Sequence, residues 1–476
     1  MSKLAKFAAG IVLMGGLLEA VPLAAAAAPG PAPKSVAAEA AADSEARLKE
    51  LERRIRELEA QLAALRGAAG GEQADRIARL EEQIDALSRE IEHLKIGEAA
   101  APIAQEPVHG LGPAASKIYK VREGVSVGGY GELTYTDAAG RMDSGDPSGA
   151  DDTLDLLRAV LYFGYKWNDR ILFNSEIEFE HATTGEGDEE KGEVSVEFAY
   201  VDFLWKKALN ARAGLLLLPM GILNEMHEPT TFHGVLRPRV ETVILPSTWR
   251  ENGAGVYGET DYLAYRAYLV AGLDALGFSA DEGIREGRQG GSQSLANDFA
   301  LTARLDLTRV PGLVAGVSAF SGAAAQGQLD ARARTTVYDL HALYEKRGFQ
   351  ARGVWARGSI DDVEEIDQAL TIAPGSTESV GEKQKGWYLE GAYDLLSVKD
   401  GARQSLSLFL RHEALDTQDG VPAGFLEDPS LDQRIWTAGI TWKPIPQVAL
   451  KADVQDVDDS AGTGVDGFHV GLGWIF

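Results

Sequence analysis

The chain has 476 residues, 45% of them hydrophobic, which excludes a mainly disordered protein and leaves room for two or three domains. Its formal net charge of −26 argues against a nucleic-acid partner, because neutralising phosphates requires a basic face. The absence of cysteine excludes disulfides, thiolate metal sites and a lipidated cysteine anchor.

Residues 1–28 read as a secretory signal peptide. Lys3 and Lys6 precede an apolar run from Phe7 to Leu18, and Ala24 to Ala28 supply small-residue A-x-A sites. The run is too short for a membrane helix, and no later segment offers about 18 uninterrupted apolar residues. If the chain enters a membrane it must do so as a closed barrel, the other spanning form that pairs every backbone group.

Residues 29–42, rich in Ala and Pro, read as a flexible linker. An α-helical coiled coil is expected over 43–96. Leu48, Leu51, Ile55, Leu58, Leu62 and Leu65 repeat at spacings of three and four, a Gly-rich break follows at 67–71, and the repeat resumes at Ile77, Leu80, Ile84, Leu87, Ile91 and Leu94. The charged flanks point to self-association, and Ile and Leu in the second block favour two strands by themselves. A second linker is expected over 97–120, where Pro102, Pro107 and Pro113 prevent helix continuation.

From Gly124 the period changes to two. In 170–180, Ile171, Phe173, Ser175, Ile177 and Phe179 alternate with Arg170, Leu172, Asn174, Glu176, Glu178 and Glu180. In 299–307, Phe299, Leu301, Ala303, Leu305 and Leu307 alternate with Ala300, Thr302, Arg304 and Asp306. One face in lipid and one in a water-filled lumen produce this division.

Sixteen such runs start near residues 124, 153, 170, 193, 211, 253, 265, 298, 312, 335, 348, 385, 403, 432, 447 and 466. Their connections alternate short and long, and the eight long ones carry a net −20 of the chain's formal charge, so one rim is acidic. Tyr162, Phe163, Tyr165 and Trp167, beside a short turn, read as part of an interfacial aromatic belt. The fold class is therefore an all-β transmembrane barrel of sixteen antiparallel strands over 121–476, preceded by the coiled coil. The last strand carries Phe468, Val470, Leu472, Trp474 and Phe476 on one face, with His469, Gly471 and Gly473 between them.

Residues 124–476 resemble the phosphate-selective porin family of Gram-negative outer membranes. The likeness rests on this layout and on the stretches VGGYGELTY, RAVLYFGYKWNDRILFNSEIEFEHA and VEFAYVDFLWKKALNARAGLLLLPMGILNE. It implies a homotrimer in membrane lipid and lipopolysaccharide, passing anions or small metabolites by passive diffusion. The terminal strand ending at Phe476 is similar to the signal read by the barrel assembly machinery. In general porins the loop after the fifth strand folds inward, which puts the long connection 219–252 at the constriction.

That loop carries His227, His233, Arg237, Arg239, Glu241 and Arg250, a mixed set suited to a transverse field across a pore. Strand parity adds Arg158, Lys166, Arg266, Arg304, Arg352, Arg411 and Arg434 as lumen-facing cations, opposed by Glu132, Glu176, Glu178, Glu390 and Glu413. The bland alternative for each is plain solvation in a wet wall. Unlike the family's phosphate channels, lysines are few and the loops are acidic.

Other chemistry is weakly marked. His227 and His233 lie six apart, not at the H-E-x-x-H spacing, so no metal is expected, and neither is a cofactor. Gly128, Gly129 and Gly131 sit inside a strand and open no phosphate loop, and His341 and His412 have no marked nucleophile, so catalysis is not expected. A structural alternative gives the coiled coil the role of tethering the membrane to a periplasmic or cell-wall partner.

Overall fold

The computed structural model describes residues 107–183, 191–398 and 404–476, with helical residues among 47–62 and 80–87. In those helical stretches Leu51 packs against Ile55 and Leu87, so the two blocks of the expected coiled coil meet within one chain. The signal-peptide and first-linker regions, 1–28 and 29–42, lie outside the described residues.

Sixteen strands follow in chain order: β1 Gly124–Ala138, β2 Thr153–Asn168, β3 Ile171–Glu180, β4 Val194–Lys206, β5 Leu209–Leu217, β6 Arg250–Glu259, β7 Leu263–Ala271 and β8 Phe299–Leu307. The second half comprises β9 Leu313–Gly322, β10 Thr335–Lys346, β11 Phe349–Ile360, β12 Lys383–Asp394, β13 Ser405–Asp416, β14 Gln433–Ile445, β15 Val448–Asp459 and β16 Gly467–Ile475. Each pairs antiparallel with its sequence neighbour, and β1 pairs with β16 to close the barrel. Closure leaves no sheet edge unpaired, which is what permits strands to lie in lipid.

Side-chain alternation decides which face is which. Along β8, Phe299, Leu301 and Leu305 are 55%, 58% and 45% exposed on the outside, while Thr302, Arg304 and Asp306 between them are at most 8% exposed inside. An apolar outer face around a polar interior is the reverse of a soluble barrel and fits lipid outside with water inside. In β2 the same parity sends Leu161, Phe163, Tyr165 and Trp167 outward but buries Tyr162, which therefore leaves the expected aromatic belt.

Chain-neighbour turns are as short as two residues at 169–170, 207–208, 347–348 and 446–447, all at one end of the barrel. One turn at this end, 395–404, runs longer than the outer connection 460–466, so the alternation of lengths is less strict than the sequence suggests.

The seam is built on small residues. The Phe476 N–H donates to Gly129 O at 2.9 Å and the Gly129 N–H to Phe476 O at 3.1 Å. A Cβ added at Gly131 would lie 2.2 Å from Trp474 Cζ2, so the glycine lets the aromatic ring of β16 lie across β1. Gly131→Val is expected to lose most of the folded, heat-modifiable band on gels, because the β1–β16 pairing would have to part. A full folded yield would show that the ring simply moves aside.

Candidate functional site in the lumen

The connection from 218 to 249 does not stay outside. It enters the barrel, and most residues along it are buried. Its two ends are tied by Asn224, whose amide donates to Leu218 O at 2.6 Å and Trp249 O at 3.0 Å while its carbonyl accepts from the Trp249 N–H at 2.7 Å. Ile222, Leu223, Val240, Val243, Ile244, Leu245 and Trp249 then fold into an apolar cluster with Phe320 of the wall.

A buried loop outside regular structure must satisfy its backbone with side chains, and here the wall supplies them. Gly221 N–H donates to Asp339 of β10 at 3.0 Å, Val235 N–H to Asp453 of β15 at 2.6 Å, and Val240 N–H to Glu413 of β13 at 3.3 Å. Loop carbonyls accept from the other side: Thr231 O from Arg352 at 2.8 Å, Thr230 O from Lys443 at 2.7 Å, and Gly221 O from Arg304. Thus the loop crosses the lumen and is pinned to opposite walls.

The crossing divides the interior. A cavity of about 460 Å³ at the short-turn end is lined by Thr230, Phe232, His233, Glu345, Arg352 and Lys443. A second, of about 430 Å³ toward the long loops, is lined by Leu236, Arg237, Arg239, Glu282, Glu413 and Asp459. Pro229 and Val235 abut the wall beside Glu132, Lys451, Gly471 and Gly473, with almost no space left at that contact. The glycines of β16 make room for this contact: a Cβ at Gly473 would fall 2.5 Å from Pro229.

The six loop residues singled out in the sequence are not equivalent. His233, Arg237 and Arg239 line the two cavities. Glu241 is enclosed and holds the loop's own turn, accepting from the N–H groups of Ile222 and Leu223 at 2.6 Å each and from the Tyr388 hydroxyl at 2.5 Å. His227 is enclosed against Glu176 and Glu197 of the wall, at 3.1 and 3.4 Å. Arg250 opens β6, 3.5 Å from Glu197, and lines a separate side cavity of about 500 Å³. Burial lowers the His227 and His233 imidazoles from their ordinary range, His233 the further, with Arg352 adding to it.

Of the seven cations assigned to the lumen, six face inward and all six are engaged. Arg158 contacts Glu132 and Glu178 at 2.8 and 2.9 Å, Arg266 contacts Glu225 and Asp306 at 3.1 and 3.2 Å, and Arg304 meets Asp306 at 2.8 Å. Arg352 and Arg411 share Glu390 at 3.2 and 3.3 Å, and Lys166 donates to Val121 O at 3.0 Å.

Arg434 corrects the expectation: its side chain is 64% exposed, 3.6 Å from Asp432, on the same outward face as Trp436. It lies beside the first residue of β14, where the outer surface meets water, so polarity there does not mark the lumen.

Of the expected second linker, residues 97–106 lie outside the described residues, and the rest departs from a linker. Residues 107–120 run inside the barrel near the short-turn end, with Leu111, Ala114, Ala115 and Ile118 buried and a 3-10 turn at Ala115–Lys120. Pro107 and Pro113 do not prevent this burial of the segment. Glu228 of the loop accepts from the N–H groups of Ala114 and Ala115 at 2.9 and 3.0 Å, while Asn174 donates to Ala115 O at 3.0 Å. Burial pushes the Glu228 carboxyl up to about 7 despite these donors. Glu228→Ala is expected to release this segment, seen as faster amide hydrogen exchange across 107–120 with the barrel intact; unchanged exchange would mean that its apolar contacts suffice.

Several lumen residues escaped the sequence reading. Arg212 and Asp202 form a buried pair at 2.7 Å, His341 is held between Asp306 and Asp339 at 2.7 and 2.6 Å, and Lys451 lies 3.7 Å from the centre of the Phe232 ring. Inward parity was the available signal for all of them. His412, by contrast, sits outside, stacked on Trp436 at 4.1 Å.

The closed strand order, apolar exterior and polar, loop-crossed interior define the class: a sixteen-stranded transmembrane β-barrel. The chain belongs to the same family as a protein of Aquifex aeolicus (strain VF5), described as uncharacterized. The two are 40% identical over 384 residues, 80% of this chain and 86% of that one. No protein-family model matches the chain.

Among solved structures it is similar to an anion-selective porin from Comamonas acidovorans, at 13% identity and a TM-score of 0.48, covering 75% of this chain and 100% of that one. It is also similar to OmpF of Salmonella typhi, at 12% identity and a TM-score of 0.46, covering 74% and 98%. The trimer form of OmpT of Vibrio cholerae gives 11% identity and a TM-score of 0.45, covering 75% and 100%.

Proposed function

We propose that the protein is a porin, a water-filled channel through which small solutes diffuse passively, with the inward loop as its constriction. The observation that carries this reading is the loop's crossing of a polar lumen, which leaves cavities of about 460 and 430 Å³ on either side of the loop. A water-filled path with one fixed narrow zone selects by diameter and by the charges lining it.

Those charges do not favour phosphate. Arg158, Arg266, Arg304, Arg352 and Arg411 each face at least one carboxylate at 3.3 Å or less, so they form no ladder of free cations. Arg237 and Arg239 share their cavity with Glu282, Glu413 and Asp459. Weak charge selectivity for small ions and metabolites follows.

Purified protein added to a planar lipid bilayer should produce discrete conductance steps, and a salt gradient should give a reversal potential near zero. Folded protein that gives no steps would remove the channel reading. A strong anion potential would restore the phosphate alternative.

A further inference from the structure

We propose that Glu176, Glu197 and His227 form a binding site for one divalent transition-metal cation, enclosed where the inward loop meets β3 and β4. The three side chains come from three separate elements and are 0%, 0% and 2% exposed. One ligand atom from each lies within 4.8 Å of the others.

The backbone is shaped to bring them together. Glu176 pairs with Phe198 and the next residue, Ile177, with Val196, so Glu197 is the extra residue of a β-bulge. A bulge re-aims side chains, and here it turns both Glu197 and Phe198 inward where regular alternation would have sent one of them to lipid.

The imidazole is oriented for the task. His227 Nδ1 lies 3.0 Å from Asn224 O, an atom that only accepts, so Nδ1 carries the hydrogen. In the neutral ring Nε2 then presents its lone pair toward Glu176 Oε1 at 3.1 Å and Glu197 Oε2 at 3.4 Å. A metal-bound histidine is held in the same way, its second nitrogen donating to a carbonyl. Ligands about 2.1 Å from a tetrahedral metal are about 3.4 Å apart, so both separations suit one cation between them.

Counter-charge is scarce around the site: the nearby Arg237 donates to His227 O at 3.2 Å. Glu176 Oε2, Glu197 Oε2 and the Tyr130 hydroxyl are fully enclosed with no hydrogen-bond partner, and the Tyr130 ring centre is 5.9 Å from that of His227. Arg158 is committed to Glu132 and Glu178, and Arg250 approaches only Glu197 Oε1, at 3.5 Å. Enclosed carboxylates without cations are costly, and a divalent ion would offset two of them. One imidazole and two carboxylates without sulfur suit Zn²⁺, Fe²⁺ or Mn²⁺.

Because the site is enclosed, the ion would enter as the loop docks. The full chain should be folded into detergent with Zn²⁺, washed with chelator, and its metal counted by mass spectrometry. About one equivalent of Zn²⁺ per chain is expected to survive the wash. His227→Gln and Glu197→Gln should lose it, while the exposed His181, paired outside with Asp155 at 2.6 Å, should be replaceable by Gln without loss.

Heat-dependent gel mobility verifies folding. Should either variant not fold, Co²⁺ in the wild type supplies the second test, its visible spectrum reporting nitrogen coordination. Folded wild type that retains no Zn²⁺, or a His227→Gln variant that retains as much as wild type, would overturn the proposal, the first assigning the space to a shared proton.

Discussion

Replacing residues 226–242 by a short Gly-Ser link is expected to raise single-channel conductance roughly two- to threefold, since conductance is set by the narrowest section. The excised arm contains Pro229 and Val235, which pack against the wall beside Lys451, Gly471 and Gly473. Its removal would join the cavities on either side of the loop.

The wall should tolerate this, although the arm also carries Glu241, which holds the Ile222–Leu223 turn, and Glu228, which anchors 107–120. Arg352, Lys443, Asp453 and Glu413 would lose their loop partners at 2.8, 2.7, 2.6 and 3.3 Å, but they would lose them to water, which resolvates them. Bilayer recordings on heat-modifiable protein provide the check. An unchanged conductance would place the constriction elsewhere, with the segment 107–120 the next element to remove.

Asp202→Ala is expected to cost about 3–5 kcal/mol, the range for stripping one partner from a buried ion pair. Asp202 and Arg212 meet through two bonds, at 2.7 and 3.0 Å, and the same carboxylate accepts from the hydroxyls of Tyr119 and Tyr257 at 2.6 and 2.7 Å. The guanidinium also lies 4.0 Å from the centre of the Tyr200 ring, and the Arg212 and Asp202 side chains are 4% and 0% exposed. Removing the carboxylate alone therefore leaves an enclosed cation and two hydroxyls short of an acceptor.

Replacing both members, Asp202→Leu with Arg212→Met, should recover much of the loss, because it abolishes the orphaned charge. The midpoint of urea unfolding, followed by gel mobility, measures both. A single substitution that leaves the midpoint unchanged would show that water already reaches the pair.

Strand positions were legible because alternation is a local property. Every strand starts within three residues of its expected place, and the parity read for 299–307 holds at all nine residues of β8. Alternation holds at Arg434 and Tyr162 as well, the first outward with Trp436 and the second inward; residue type misled there, a cation near a strand end suggesting the lumen and an aromatic ring suggesting the lipid face.

What alternation cannot give is the meeting of distant residues inside the barrel. Glu176 reads as inward, but nothing near it announces His227, 51 residues on. Glu197 depends on a bulge that breaks the very period from which strands are recognised. The segment 107–120 looked like a linker because its anchors, Glu228, Asn174 and Asp202, are scattered over three later elements.

Current through single-cysteine variants tests most directly whether the inward loop bounds the conducting path, and the natural absence of cysteine makes the background clean. At Arg237→Cys, a charged methanethiosulfonate reagent should react from the aqueous phase and lower the current, whereas Leu301→Cys, on the lipid face, should leave it unaltered. Equal insensitivity at both positions, in protein that still conducts, would contradict a pore running past this loop.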